Sequence, residues 1–280
     1  MIGSLRDLLR RAWRHPSGRW GALALMVLVL LAALAPFVLP DPAAIPDAVA
    51  GATPPSASHP MGTDQLNRDL LSRVVNGGRI SLSVAALAVL LSLTLGTLVG
   101  LVAGYAGGWV DAILMRGVDA ALAIPRLFVL LLLLVVWERI PLGALIVVLG
   151  TTGWFATSRL VRGEVLRLRH EPFVLASEAL GAPGWRTMTR HLLPNAAGPL
   201  LVAATLGVGD VILLEAGLSF LGLGVQPPTP SWGGMVLEAR PLIVTAPWVA
   251  LFPGAAIVAT VLAVNLLGDA LQAALDPRSA

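Results

Sequence analysis

Six stretches of this chain are almost continuously apolar: 20–38, 80–105, 112–137, 142–160, 198–221 and 248–271. A helix needs about 20 such residues to cross a hydrocarbon core of about 30 Å, so each stretch is long enough to span a bilayer. The apolar positions do not alternate with polar ones, and the runs are about twice the length of a barrel strand, which predicts helices rather than a transmembrane barrel. The reading is an all-α polytopic membrane protein with about six spans. The polar intervals divide the rest into an N-terminal segment (1–19), a long interval (39–79), a second long interval (161–197) and a short tail (273–280). The first apolar run is too long for a secretory leader, so an uncleaved span is expected, with cleavage near Ala48 and Ala50 as the alternative.

Orientation follows from the basic residues, every one of which is Arg. Arg6, Arg10, Arg11, Arg14 and Arg19 precede the first run, and Arg159, Arg162, Arg167, Arg169, Arg186 and Arg190 flank or occupy the 161–197 interval. The positive-inside rule places both regions, and with six crossings the tail, on the cytoplasmic side, leaving 39–79 and 222–247 outside. Arg68, Arg73 and Arg79 lie in the outer interval accompanied by Asp41, Asp47, Asp64 and Asp69.

The cytoplasmic interval carries helix punctuation. Pro172 suits a first helical position and Gly181 the position just past a helix end, which predicts a short helix over 173–180 with Phe173, Ala176, Ser177 and Leu180 on one face. Ala182-Pro183-Gly184 then breaks the chain. A second amphipathic stretch begins at Trp185, with Met188 and Leu192 opposed to Arg186 and Arg190, and Pro194-Asn195 leads into the next span. Two short helices meeting at a sharp angle form a knob that fits a groove on a soluble partner, or alternatively an amphipathic segment lying on headgroups.

Intramembrane charges are costly and are candidates for function by default. Arg126 follows Pro125 in the third run, and Asp210 and Glu215 lie in the fifth. Arg126 is expected to line a path or to form a buried pair with Asp210 or Glu215. Arg116 and Asp119 have the spacing of an intrahelical pair. Gly96, Gly100 and Gly104, four residues apart, predict a close-packing face, with a second membrane chain as one candidate for what it packs on. In the outer intervals, Met61–Arg79 is expected to begin an amphipathic helix capped by Thr63 or Asp64, and Gln226–Trp232 to form a stiff extended turn. Asp64, Arg68, Asp69, Pro227, Pro228 and Trp232 are the candidates for contact with an external protein or for an outer gate.

Mean hydropathy is +0.83 and the sequence pI is near 10.8. Net charge is only +3, with 12% charged residues, so the basic side chains are read as topology and anionic-lipid signals rather than a nucleic-acid surface. There is no cysteine, which removes disulfides and thiol ligands. No phosphate-binding GxxxxGK[ST] loop occurs, and His15, His59, His170 and His191 are scattered without ligand spacing. No cofactor, metal site or enzymatic activity is therefore expected of this chain.

Several strings carry a resemblance. ASEALGAPGWRTMTRHLLPN is similar to the cytoplasmic loop of ATP-binding-cassette importer permeases. MGTDQLNRDLLSRVVNGGRISL, GLSFLGLGVQPPTPSWG and ALFPGAAIVATVLAVNLLGDALQAALDP resemble the dipeptide/oligopeptide branch, C-type subunit. The likeness runs from Trp20 to the C-terminus. Two positions depart from the pattern: Leu175 stands where the motif often has its leading Glu, and Asn67 where a Gly is usual. The resemblance implies a type I importer membrane domain in a bacterial inner membrane. Its partners would be a second permease, two ATPase subunits binding Mg-ATP and an extracytoplasmic substrate-binding protein. Its coupling loop would hold Glu171, Pro172, Phe173, Ala176, Ser177, Glu178, Ala179, Leu180, Gly181, Leu193 and Pro194. The implied cargo is short peptides, with nickel chelates or glutathione as alternatives. A secondary transporter driven by an ion gradient, using Asp210 and Glu215, is the reading from a different class.

Overall fold

A computed structural model describes residues 5–45, 51–137 and 139–275; the side chain of Arg6, the Ala48 and Ala50 positions and residues 276–280 lie outside that description. Among the described residues the chain is helical with no strand. The helices are α1 (Leu5–Arg14), α2 (Pro16–Val38), α3 (Leu70–Ala106), α4 (Gly108–Leu122), α5 (Arg126–Leu134), α6 (Leu142–Leu168), α7 (Pro172–Ala179), α8 (Gly184–Thr187), α9 (Leu193–Phe220), α10 (Trp232–Ala239) and α11 (Trp248–Leu275). Among the described residues five helices are long and apolar enough to span, and α4 with α5, bent by 79° at their break, makes six when the pair is counted as one crossing.

That bend corrects the expectation of a continuous third span over 112–137. Pro125 has no amide hydrogen and disfavours helical geometry at Ile124, so one helix stops at Leu122 and the next starts at Arg126. Arg126 therefore sits at a helix start, and not mid-helix.

Most other helices outrun their apolar stretches. α3 begins at Leu70, ten residues before the apolar run, and its 37 residues extend roughly 55 Å at 1.5 Å per residue. Its cap is Asp69, whose carboxylate accepts from the Ser72 amide at 2.8 Å, rather than Thr63 or Asp64. The segment ahead of it is a turn, Asp64 to Asn67, held by backbone pairing of Thr63 with Asp69. α6 continues past the membrane run to Leu168. The stretch after the Pro183 break is not a separate short helix: α8 passes through a π turn over Met188–Leu192 into α9, giving one 37-residue helix, Gly184–Phe220. Pro194 offers no amide to the Arg190 carbonyl, and the ladder widens just upstream, where the Leu193 amide reaches the Met188 carbonyl.

Small residues set the packing. Cβ atoms added at Gly96, Gly100 and Gly104 would come within 2.6–2.8 Å of Thr157, the Ser158 carbonyl and Val165 of α6. The stripe is thus buried inside the chain, between α3 and α6, and is not a face for a partner permease. Gly18 and Gly21 of α2 abut Ala270 and the Ala263 carbonyl of α11 in the same way, and Gly268 of α11 abuts Leu206 of α9. Without a hydrophobic driving force between helices in lipid, such close backbone approach supplies the association. The main core, with Val84, Ala88, Leu130, Leu149, Ile212 and Leu218, joins α3, α5, α6 and α9. The outward side of α2, with Met26, Leu30, Leu31 and Leu34 about half exposed, is left for lipid or another chain. α1 packs Leu8 and Ala12 on Ala270 and Leu271, so the N-terminal helix, the C-terminal end of α11 and α7 share one end of the bundle.

Candidate functional site

Three places bring the singled-out residues together. The first is the knob. Pro172 starts α7, and Gly181 ends it at φ +78, with the Ala182 amide donating to the Ser177 carbonyl at 3.1 Å. This left-handed termination is open to glycine without strain. One side of α7 is anchored: Val174 is fully buried with Leu101, Val161, Val165, Leu168 and Leu192. The other side is open. Phe173, Ala176, Ser177 and Leu180 face Arg186, Arg190 and His191 across a groove of about 550 Å³. The Phe173 and His191 rings stand 6.2 Å apart across it. Leu180 is 89% exposed. Glu171 is the residue before α7, Glu178 and Ala179 are exposed on its last turn, and Leu193-Pro194 open α9. Leu175, at the position of the missing Glu, is half exposed and apolar.

Gly181 has nothing within 4 Å of an added Cβ, so its role in this chain is conformational rather than one of close approach. Sequence reasoning missed Tyr105, at the end of α3, whose ring lies against Gly184 and whose hydroxyl faces Glu178. The knob is thereby fixed to α3, α6 and α9 together. Two ion pairs stiffen the same end of the bundle: Arg162 of α6 grips Asp111 of α4 through both carboxylate oxygens, at 2.5 and 2.6 Å, and Arg159 pairs with Asp119. Asp119 is thus bound to α6, and not to Arg116 along its own helix.

The second place lies at the opposite end. Asp64, Arg68, Arg73 and Glu238 form a buried network in which Arg68 donates to Asp64 at 2.7 Å and to Glu238 at 2.9 Å. Arg73, 2% exposed, contacts Asp64 and donates to Glu238 at 2.8 Å. Asp64 and Arg68 are accordingly internal ties rather than surface groups, and Asp69 is the cap of α3 with His59 3.0 Å away. Trp232 is also internal: its indole donates to the Val74 carbonyl at 2.8 Å and seats α10 on α3. Of the outer candidates, Pro227 and Pro228 are exposed, in the turn before α10. Glu238 carried no local signal, since its partners are 165 and 170 residues away.

The third place is a central cavity of about 290 Å³ among α3, α5, α6 and α9, lined by Ser92, Arg126, Gly153, Thr157, Gly207 and Asp210 among others. Arg126 donates to the Leu149 carbonyl at 2.7 Å and to the Thr152 hydroxyl at 3.3 Å. Asp210 faces the same cavity and is its electrostatic counterpart. Glu215 is not a partner of Arg126. It is buried, and it accepts from Ser219 at 2.7 Å and Ser81 at 3.3 Å, tying α9 to α3.

The bundle carries an anchored knob at one end, a charged cavity within and an ionic tie at the other end. Comparison with known proteins identifies the family. Residues 96–280 match the family described as binding-protein-dependent transport system inner membrane component. The dipeptide transport system permease protein of Bacillus subtilis is 41% identical over 274 residues, 98% of this chain and 85% of that one. The oligopeptide transport system permease protein of the same organism is 39% identical over 98% of this chain and 89% of its own. A glutathione transport system permease protein of Pectobacterium atrosepticum is 42% identical over 80% and 74%. The chain therefore belongs to the binding-protein-dependent transport system inner membrane component family, as a multi-pass permease subunit of an ATP-binding-cassette importer.

Proposed function

We propose that this chain forms, with a second permease, the inner-membrane path for short peptides, driven by ATP hydrolysis in two partner ATPase subunits and fed by an extracytoplasmic binding protein. Family membership removes the ion-gradient alternative. Peptide cargo is supported by the dipeptide and oligopeptide relatives aligned over nearly the whole chain, and the glutathione relative is consistent with a small peptide-like cargo. The observation that carries the coupling step is the knob: an exposed apolar and small-residue face on α7, opposite two arginines, mounted on helices that run into the spans. An ATPase surface with an apolar projection and acidic neighbours would fill it, and its closure would move α7 as a lever that tilts α6 and α9. Both chain ends and the knob face the cytoplasm in this reading.

Docking is tested by Ala176→Trp, which fills the groove from an exposed position and leaves the buried Val174 side intact. The variant should still pair with the second permease but lose the ATPases on purification and lose ATP-driven peptide uptake in proteoliposomes. Normal uptake with the ATPases retained would refute docking at α7.

A further inference from the structure

The central cavity holds two charges that the fold keeps apart. Elsewhere two buried charges are met by direct contact: Arg73 by Asp64 and Glu238, Glu215 by Ser81 and Ser219. Arg126 has five N–H donors, and only two have protein acceptors among the described residues, at the Leu149 carbonyl and the Thr152 hydroxyl. Those two bonds fix the guanidinium from one side, and the rest of its fork is left to the cavity it lines. Asp210 makes no hydrogen bond or ion pair among the described residues, although Arg126 attracts it. Between them the lining is neutral and small, with Ser92, Thr157, Gly153 and Gly207. Gly153 matters here, because a Cβ there would come 2.9 Å from both Arg126 Nη2 and Ser92 Oγ.

From this arrangement we infer that the cavity receives the two charged termini of a zwitterionic peptide in transit, Arg126 taking the carboxylate and Asp210 the ammonium group. This rests on the peptide-importer reading. A guanidinium fork offers a carboxylate two parallel hydrogen bonds, and an aspartate accepts from an ammonium without fixed geometry. A volume of about 290 Å³ is at the small end of ligand pockets, which run from about 300 to 1,000 Å³, and suits a short peptide.

The test uses the assembled transporter, without ATP or binding protein, carrying Ala156→Cys at the cavity wall of this otherwise cysteine-free chain. The probe is a tripeptide whose central lysine is chloroacetylated, compared with its C-terminal amide and its N-acetyl form; the reading is the alkylation rate of this chain by mass spectrometry. The free tripeptide should react at least fivefold faster than either blocked form. Arg126→Gln should abolish the amide penalty alone, and Asp210→Asn the acetyl penalty alone. Equal rates for the three peptides in the unsubstituted background would overturn the assignment with no reliance on variant folding. So would substitutions that change all three rates together, the mark of a packing pair. ATP-driven uptake of the unmodified tripeptide is measured in parallel with binding protein present. Uptake with no terminus dependence at the cavity defeats only this site, whereas no uptake defeats the peptide-cargo reading on which it rests.

Discussion

The backbone of Gly184 rests on the ring of Tyr105: a Cβ at Gly184 would lie 2.7 Å from the ring Cε1 and 3.1 Å from the hydroxyl oxygen. Gly184 is the first residue of α8, and Tyr105 closes α3. The contact therefore joins the break in the knob to the end of α3, so a force applied at α7 reaches α3 as well as α9.

Gly184→Val should displace α8 from α3. Overpacking of this kind costs about 1–3 kcal/mol, too little to prevent assembly but enough to misplace the groove. The expected result is normal membrane yield and permease pairing, with reduced uptake per ATP hydrolysed. Tyr105→Leu, which withdraws the ring, should restore part of the coupling to Gly184→Val. Unchanged transport by Gly184→Val alone would show that the contact relaxes freely.

Much of the knob was legible in the sequence because its signals are local. Pro172 and Gly181 mark the ends of α7, and the spacing of Phe173, Ala176, Ser177 and Leu180 gives its open face. The helix ends near the membrane were less legible, because hydropathy reports where lipid stops and not where hydrogen bonding stops; α3 and α6 and the joined α8–α9 helix all run on through polar sequence. The break at Pro125 was hidden by apolar residues on both sides. Gly96, Gly100 and Gly104 announce a close approach but not its partner, which is chosen by tertiary packing on α6. Glu238 was invisible, since nothing near it in sequence points to Arg68 or Arg73.

Asn67 stands at φ +58, the conformation in which glycine is unstrained and Asn is the most tolerant of the other residues. This accounts for the tolerance of Asn at this position. Asn67→Gly should leave thermal stability within about 0.5 kcal/mol, whereas Asn67→Val should lower it by about 1–2 kcal/mol. Gly181, at φ +78 in open space, should behave likewise: Gly181→Asn retained in function, Gly181→Val impaired. Melting of the purified complex and uptake assays check both, and equal tolerance of Val and Asn would rule out a backbone origin.

The orientation can be read with single cysteines, since the chain has none of its own. Gly163, exposed on the α6 extension with open space around it, and Ser56, exposed at the far end, are suitable positions. An impermeant thiol reagent should label Ser56→Cys in intact cells and Gly163→Cys only in inverted vesicles. The opposite pattern would reverse the whole assignment of sides.

The ionic tie at the far end carries the last prediction. Arg73 is almost fully buried, and its Nε has no partner, so its charge depends on Asp64 and Glu238. Glu238 belongs to α10 and is 31% exposed, which makes it the half of the network most able to let go. Glu238→Gln removes one of two counter-charges shared by Arg68 and Arg73. Hydrogen bonds to charged groups contribute about 1.5–3 kcal/mol, and partial exposure places the expected loss near the lower end. Arg68→Gln together with Glu238→Gln should cost less than the sum of the two single changes, because the second substitution removes charge from an already unbalanced site. If the tie also holds α10 closed over the path, Glu238→Gln should raise ATP hydrolysis in the absence of the binding protein. Additive losses with unchanged basal hydrolysis would mean that Arg68 and Glu238 act independently and that the network neither couples these segments nor gates anything.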